Sequence, residues 1–196
     1  MGMFRMLAKE KNLLDIMRKV TKKVAAIKSD LRGVSAIEFS LFAGLLSFGL
    51  LNTADVSIYV YKRMELENAT QMGAQAAWKA CDPTKGHLPA TVNCSGLTTA
   101  ITSAVHSTSL GTRVSLQSGS PAEGYYCVNS SGALQYVSAV TSPKPTDCSA
   151  AGMSNLKPAD YIQIQTTFAY APLFPGVTVA SAFATPITKT ALMRLD

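Results

Sequence analysis

Apolar residues fall into three successive patterns along the chain. In residues 1–33, Leu13, Met17, Val20, Val24, Ile27 and Leu31 recur at steps of four and three, which places them on one face of a helix, with lysines and arginines over much of the rest. From Val34 to Leu51 the periodicity gives way to a continuous apolar run whose one ionisable residue is Glu38. Met64 to Ala80 is rich in helix formers and free of Pro, so the apolar helix is expected to continue outward. Ala69, Met72, Gly73, Ala76, Ala77 and Ala80, small residues apart from Met72, predict a flat face on which a sheet can pack, with Trp78 as a bulky anchor. Cys81-Asp82-Pro83 should end the helix, because Pro disfavours helical geometry in the residue before it.

Beyond Pro83 the pattern changes to short segments. Leu97, Ile101 and Val105 are spaced by four and predict a helix over 97–105. Strands are expected at Arg113–Gln117, Tyr125–Val128, Leu134–Val140 and Tyr161–Tyr170, with a fifth through Ile187–Arg194. In the fourth, Ile162, Ile164, Thr166, Phe168 and Tyr170 alternate with Tyr161, Gln163, Gln165 and Thr167, giving one core face and one wetter face. Asn129-Ser130-Ser131-Gly132 is a hairpin-turn candidate. The order predicts an α+β fold: a long N-terminal membrane-spanning helix continuing into a small domain whose antiparallel sheet packs on it. The segments are then 1–33, a basic leader; 34–61, the transmembrane helix; 62–80, its extension; and 81–196, the small disulfide-bearing domain.

Eighteen residues from Val34 to Leu51 reach about 27 Å at roughly 1.5 Å each, close to the hydrocarbon thickness of a bilayer. Val56, Ile58 and Val60 extend the run, and Tyr59 and Tyr61 are placed to anchor the far interface before Lys62 and Arg63. A secretory signal peptide would require small residues at a cleavage site beyond the span, and no convincing one is found. Ala36, Ser40 and Gly44, like Gly49 and Thr53, form small-residue rows that permit close helix approach. Glu38 and Asp55 lie seventeen residues apart. On a continuous helix they are rotated by about 100° and separated by about 25 Å, which excludes a paired acid/base mechanism. Asp55 is expected near the outer interface, within reach of water.

Charge sharpens this division. Residues 1–33 carry nine basic and three acidic side chains, which accounts for the whole net charge of +6, while residues 34–196 balance nine against nine. The excess therefore says nothing of a nucleic-acid partner. It sits where the positive-inside rule holds it in the cytoplasm, and the basic amphipathic leader can lie on the inner-membrane lipid surface. All four cysteines, Cys81, Cys94, Cys127 and Cys148, fall beyond the span, as expected for an oxidising compartment such as the periplasm. Three pairings are open, of which Cys81 with Cys94 and Cys127 with Cys148 are preferred because each closes a local loop. No C-x-x-C spacing pairs with His87 or His106 for a metal site, and no catalytic or cofactor-binding motif is found, so no enzyme activity is expected.

The junction Arg32-Gly33-Val34-Ser35-Ala36-Ile37-Glu38-Phe39 resembles the processing region of type IV pilin-like proteins, which are cut by prepilin peptidase after Gly and carry Glu five residues on. Its continuation through Asp55, Tyr61 and Leu66-Glu67-Asn68-Ala69-Thr70-Gln71-Met72-Gly73-Ala74, together with Tyr170-Ala171-Pro172-Leu173-Phe174-Pro175 and Ala191-Leu192-Met193-Arg194, is similar to the TadE-like family of Tad/Flp pilus pseudopilins. The resemblance implies cleavage between Gly33 and Val34, and pairing of Glu38, beside Phe39, with a neighbouring subunit's new amino terminus. It implies partners among sibling minor pseudopilins and the major Flp pilin, a role in pilus assembly and surface adhesion, and Asp55 as a candidate interface residue. A mismatched stagger would leave Glu38 unpaired in low dielectric, so the pair selects register. The alternative is a single-pass anchored periplasmic binding module that does not polymerise.

Overall fold

The computed structural model describes residues 31–81, 86–183 and 185–196. The amphipathic leader pattern and the Asp82-Pro83 stop signal lie outside them. The described chain forms two compact units, one ending at Leu50 and the other Leu51–Asp196. The first element, helix α1 (Leu31–Ala80), contributes to both.

In the first unit every described side chain from Val34 to Leu50 except Ala43 is exposed, including Phe39, Leu41, Phe42, Leu45 and Leu46. Exposed apolar residues on all sides of a helix are what a lipid or protein environment would cover. This helix is long and apolar enough to cross a membrane. Glu38 is exposed among these residues, and Gly33 and Val34 already lie in helix.

The second unit is an α+β domain. Between the end of α1 and the sheet come the short α2 (Ala90–Asn93) and the ten-residue α3 (Leu97–His106), which buries Leu97, Ile101 and Val105 as their spacing predicts. Five antiparallel strands follow: β1 (Val114–Leu116), β2 (Ala122–Val128), β3 (Leu134–Ala139), β4 (Ala159–Phe168) and β5 (Ile187–Arg194). Strand β4 is the axis of the sheet. One edge pairs with β5 along its whole length, from Tyr161 opposite Arg194 to Phe168 opposite Ile187. The other edge pairs with β2 through Ala159–Gln163 and with β1 through Thr166–Phe168, and β3 completes the sheet beyond β2. The alternation expected in β4 is present, with Ile162, Ile164, Thr166 and Phe168 buried and the residues between them partly exposed. The strand begins two residues earlier than its sequence pattern suggests, and Tyr170 falls in the following loop. The β2–β3 hairpin closes as predicted, Gly132 N–H donating to the Asn129 carbonyl at 2.9 Å with Gly132 in the left-handed region that its turn requires.

The sheet packs on the second half of α1 through Leu66, Ala69, Thr70, Gly73, Ala74 and Ala77, one face of the helix, with Cys81 just past its end. Ala69, Gly73 and Ala77 were expected on this face. Met72, Trp78 and Ala80 are instead exposed, Trp78 to 49%. The buried stripe favours close approach over bulk: Thr70 Oγ1 lies 2.6 Å from Thr166 Oγ1 on β4, a separation too small for a large side chain in the stripe at that level. Leu66, Ala69 and Ala77 join Ile101, Val105, Val114, Ile162 and Ile164 in one core.

Both preferred disulfides are formed. Cys81–Cys94 ties the end of α1 to the turn before α3, and Cys81 is fully buried in the main core. Cys127–Cys148 ties the end of β2 to the loop beyond β3 and holds a small second cluster with Ala151, Val137 and Met153.

Candidate functional site

Asp55 organises a buried polar arrangement in the second unit. Contrary to the expectation of water access, it is fully buried. The cause is a loop 115 or more residues downstream that folds over it. Leu173 N–H donates to Oδ1 at 2.8 Å, while Phe174 N–H at 3.2 Å and Thr178 Oγ1 at 2.5 Å donate to Oδ2. Tyr170 Oη donates to the Asp55 carbonyl at 3.2 Å. One turn earlier, Asn52 Oδ1 accepts from Val179 N–H at 2.9 Å. A buried carboxylate is costly unless its lone pairs are met by donors, and here two successive backbone N–H groups and a hydroxyl meet them.

The loop also holds itself. Phe174 carbonyl accepts from Val177 N–H at 3.2 Å and Thr178 N–H at 3.3 Å, and Gly176 N–H donates to Ser181 Oγ at 2.9 Å. Tyr59 packs between Tyr170, with ring centroids 5.0 Å apart, and Phe183, at 4.6 Å. Tyr59 is thus partly enclosed by its own domain, whereas Tyr61, its expected partner at the interface, is 57% exposed under Lys62. With its polar groups turned inward, the loop presents Leu173, Val177 and Val179 outward, each more than half exposed.

A second polar cluster joins the start of β4 to Asp196. Glu123 on β2 accepts from Ala90 N–H at 2.7 Å and from Thr91 N–H at 2.6 Å, fixing the start of α2. Asp160 on β4 is 3% exposed, and no donor faces its Oδ1. Burial, then the neighbouring charges of Glu123 and Asp196, push Asp160 up to about 7, with Lys144 opposing. Asp196 behaves oppositely: burial raises it, but Lys144 Nζ at 2.5 Å and Asp160 N–H at 3.0 Å hold it below the usual carboxylate value. The cluster pins the chain end to the sheet, as Leu195 N–H also donates to the Asp160 carbonyl at 2.9 Å.

His106 is partly buried, and its Nε2 lies 3.0 Å from the Val114 carbonyl, linking α3 to β1. Among the described residues, no three His, Cys, Asp or Glu side chains gather to hold a metal ion. Of the residues singled out in the sequence, the structure leaves Glu38, Phe39 and Val34 exposed, buries Asp55, and joins the four cysteines in two pairs. Asn52, Thr178 and Glu123 carry no sequence signal of their own, since the partners that define these sites are 32 to 127 residues away. Compared with family models, with curated proteins and with solved structures, the chain finds no match.

Proposed function

We propose that this protein is a membrane-anchored minor pseudopilin of the Tad/Flp type, with its leader in the cytoplasm and its disulfide-bearing domain in the periplasm. Prepilin peptidase cuts after Gly33, the apolar half of α1 packs with sibling subunits, and Glu38 sets the register of that packing by pairing with the new amino terminus at Val34 of a neighbour. The domain after Leu51 makes the larger outer contacts. Major Flp pilins are little more than the helix, so a chain carrying this much additional domain initiates, caps or regulates the fibre.

One observation carries the reading. Glu38 is exposed among large exposed apolar side chains, at the required distance from Gly33. A charge in that setting costs on the order of 3 kcal/mol in a membrane unless it is neutralised or paired. The disulfides, confined to the far side of the apolar run, support an oxidising location for the domain.

N-terminal sequencing of the membrane-associated protein, with and without active prepilin peptidase, tests the proposal. A peptidase-dependent start at Val34 is the expected result. An intact leader would instead support the anchored binding module, and a start beyond Tyr61 would make the span a discarded secretion signal.

A further inference from the structure

We infer that the loop from Tyr170 to Phe183 is a membrane-contacting wedge, seating Leu173, Val177 and Val179 in the headgroup boundary of the outer leaflet. The inference rests on the anchored reading above and adds to it a second attachment point to lipid.

Three observations converge on lipid as the occupant. First, there is no charge anywhere from Tyr161 to Thr188, and the outward side chains of the loop are apolar except Ser181, whose Oγ is occupied by Gly176 N–H. A protein partner chosen for specificity is usually met with charged or hydrogen-bonding groups at its rim. Here the polar atoms of Asp55, Thr178, Ser181 and the intervening backbone bond to one another, leaving an apolar exterior. Second, the loop is tied to Asn52 and Asp55, which follow the last residue of the apolar run within about one turn. Eighteen residues of that run nearly match a hydrocarbon core, and Tyr59 beyond it is packed against Tyr170 and Phe183 of its own domain, so a membrane helix emerges at the level of Asn52 to Asp55 rather than at Tyr61 as the sequence suggests. Third, α1 carries no charge between Asp55 and Lys62, about 10 Å further along the helix by its rise; Lys62 is paired there with Glu65 at 2.7 Å, and the exposed Arg63 is the cation placed to meet lipid phosphates.

The anchoring also supplies preorganisation. Exposed apolar side chains on a self-bonded loop enter an interface without first ordering a flexible segment, and the ordering cost is met by Asp55 during folding. The buried carboxylate thus acts as a positioning residue for the loop.

The test uses the full-length chain reconstituted in phosphatidylethanolamine–phosphatidylglycerol vesicles, with and without acyl chains brominated near the glycerol end. The native Trp78 is first replaced (Trp78→Phe), and a single probe is introduced by Val177→Trp. A reference chain instead carries Leu50→Trp, at the outer end of the apolar run and at the depth of the bromines. The loop probe is expected to lose about half of its emission to the brominated lipid and to resist aqueous iodide, as a side chain 5–10 Å into the boundary should. Quenching of the reference alone overturns the wedge and leaves the anchor standing. If neither probe is quenched, both readings fall. Val179→Trp gives an independent position should Val177→Trp fail to fold, and a water-like response from it is equally decisive against the wedge. Asp55→Asn, which keeps the shape and weakens acceptance from Leu173 and Phe174, should restore iodide access to the Val177→Trp probe at least about threefold. Unchanged protection in this variant would remove Asp55 from the account.

Discussion

Gly73 on α1 offers a contest between two effects of opposite sign. Replacing a helix-interior Gly by Ala normally stabilises by about 1 kcal/mol, and burying the new methyl adds roughly 0.8 kcal/mol. At Gly73, however, a Cβ would lie 2.9 Å from Val105 Cγ2, 3.3 Å from Ile101 Cγ2 and 3.6 Å from Ile164 Cγ2. Carbon atoms prefer roughly 3.5–4.0 Å. Val105 and Ile101 are β-branched and stiff about χ1, so rotation of one side chain gives little relief. Helix α3 must instead move away from α1 by about half an ångström. A gap of that size forfeits about a quarter of the dispersion energy of the side chains that face it. Each buried side chain makes about 40–60 contacts of roughly 0.1–0.2 kcal/mol, so opening the seam along Leu97, Ile101 and Val105 costs about 4 kcal/mol. The loss exceeds the gain, and Gly73→Ala should destabilise the protein by about 2 kcal/mol. Guanidinium unfolding of the full chain in detergent micelles, followed by far-ultraviolet circular dichroism with disulfides intact, measures this. Val105→Ala removes the obstructing methyl, so in that background Gly73→Ala should turn stabilising by about 1 kcal/mol. The same effect in both backgrounds would refute the steric account, as would a Gly73→Ala protein that unfolds no earlier than wild type.

Three further outcomes follow from named contacts. Asp160 is raised from 3.8 to about 7, so it stabilises most below its unfolded value and that contribution is lost as pH rises through about 7. The full displacement is worth about 4 kcal/mol, reduced to about 1–2 kcal/mol by solvent screening at the cluster edge; unfolding midpoints of wild type should therefore fall from pH 5 to pH 8 while those of Asp160→Asn stay nearly level. Thr70→Val strands the Thr166 hydroxyl, fully buried and 2.6 Å from its partner, at a cost of about 1–2 kcal/mol, whereas Thr70→Val with Thr166→Val should recover most of it; additive losses in a double-mutant cycle would show the hydroxyls do not interact. Serine pairs at Cys81/Cys94 and at Cys127/Cys148, which close 13- and 21-residue separations, should each cost about 3 kcal/mol. Only the first should reduce hydrogen-exchange protection in α3, because Cys127 and Cys148 sit in the smaller cluster.

The legible parts of the fold were those written in local period. Leu97, Ile101 and Val105 announce α3, and the alternation from Ile162 to Phe168 announces the central strand together with its buried face. The cysteine pairs followed from short loops. The packing face of α1 was harder to read, since Ala is compatible with either side of a helix. Bulk suggested Trp78 as the anchor, yet the close Thr70–Thr166 approach selects small residues and leaves the indole outside. Asp160 gave no warning of its perturbed titration, because Glu123 and Asp196 lie 37 and 36 residues away in sequence.

The two acids of the apolar half of α1 and its exit illustrate why sequence context alone does not assign a role. Glu38 and Asp55 are both single carboxylates among apolar neighbours, and either is a plausible group for pairing with another subunit on that ground. Their surroundings separate them. Asp55 already receives Leu173 N–H, Phe174 N–H and Thr178 Oγ1, so an incoming ammonium would have to break bonds made within the domain. Glu38 is exposed, and among the described residues no donor meets its carboxylate. Moving residues 33–55 of this helix into an apolar environment therefore creates one unmet charge, at Glu38, whereas Asp55 is met by the chain's own fold. If subunits pair through a carboxylate, Glu38→Gln should abolish incorporation into pili, while Asp55→Asn should loosen the 170–183 loop and leave incorporation through the helix intact. Measuring pilus incorporation and loop accessibility on both variants separates the two roles: loss of incorporation from Asp55→Asn with the loop still closed would give the register function to Asp55 instead.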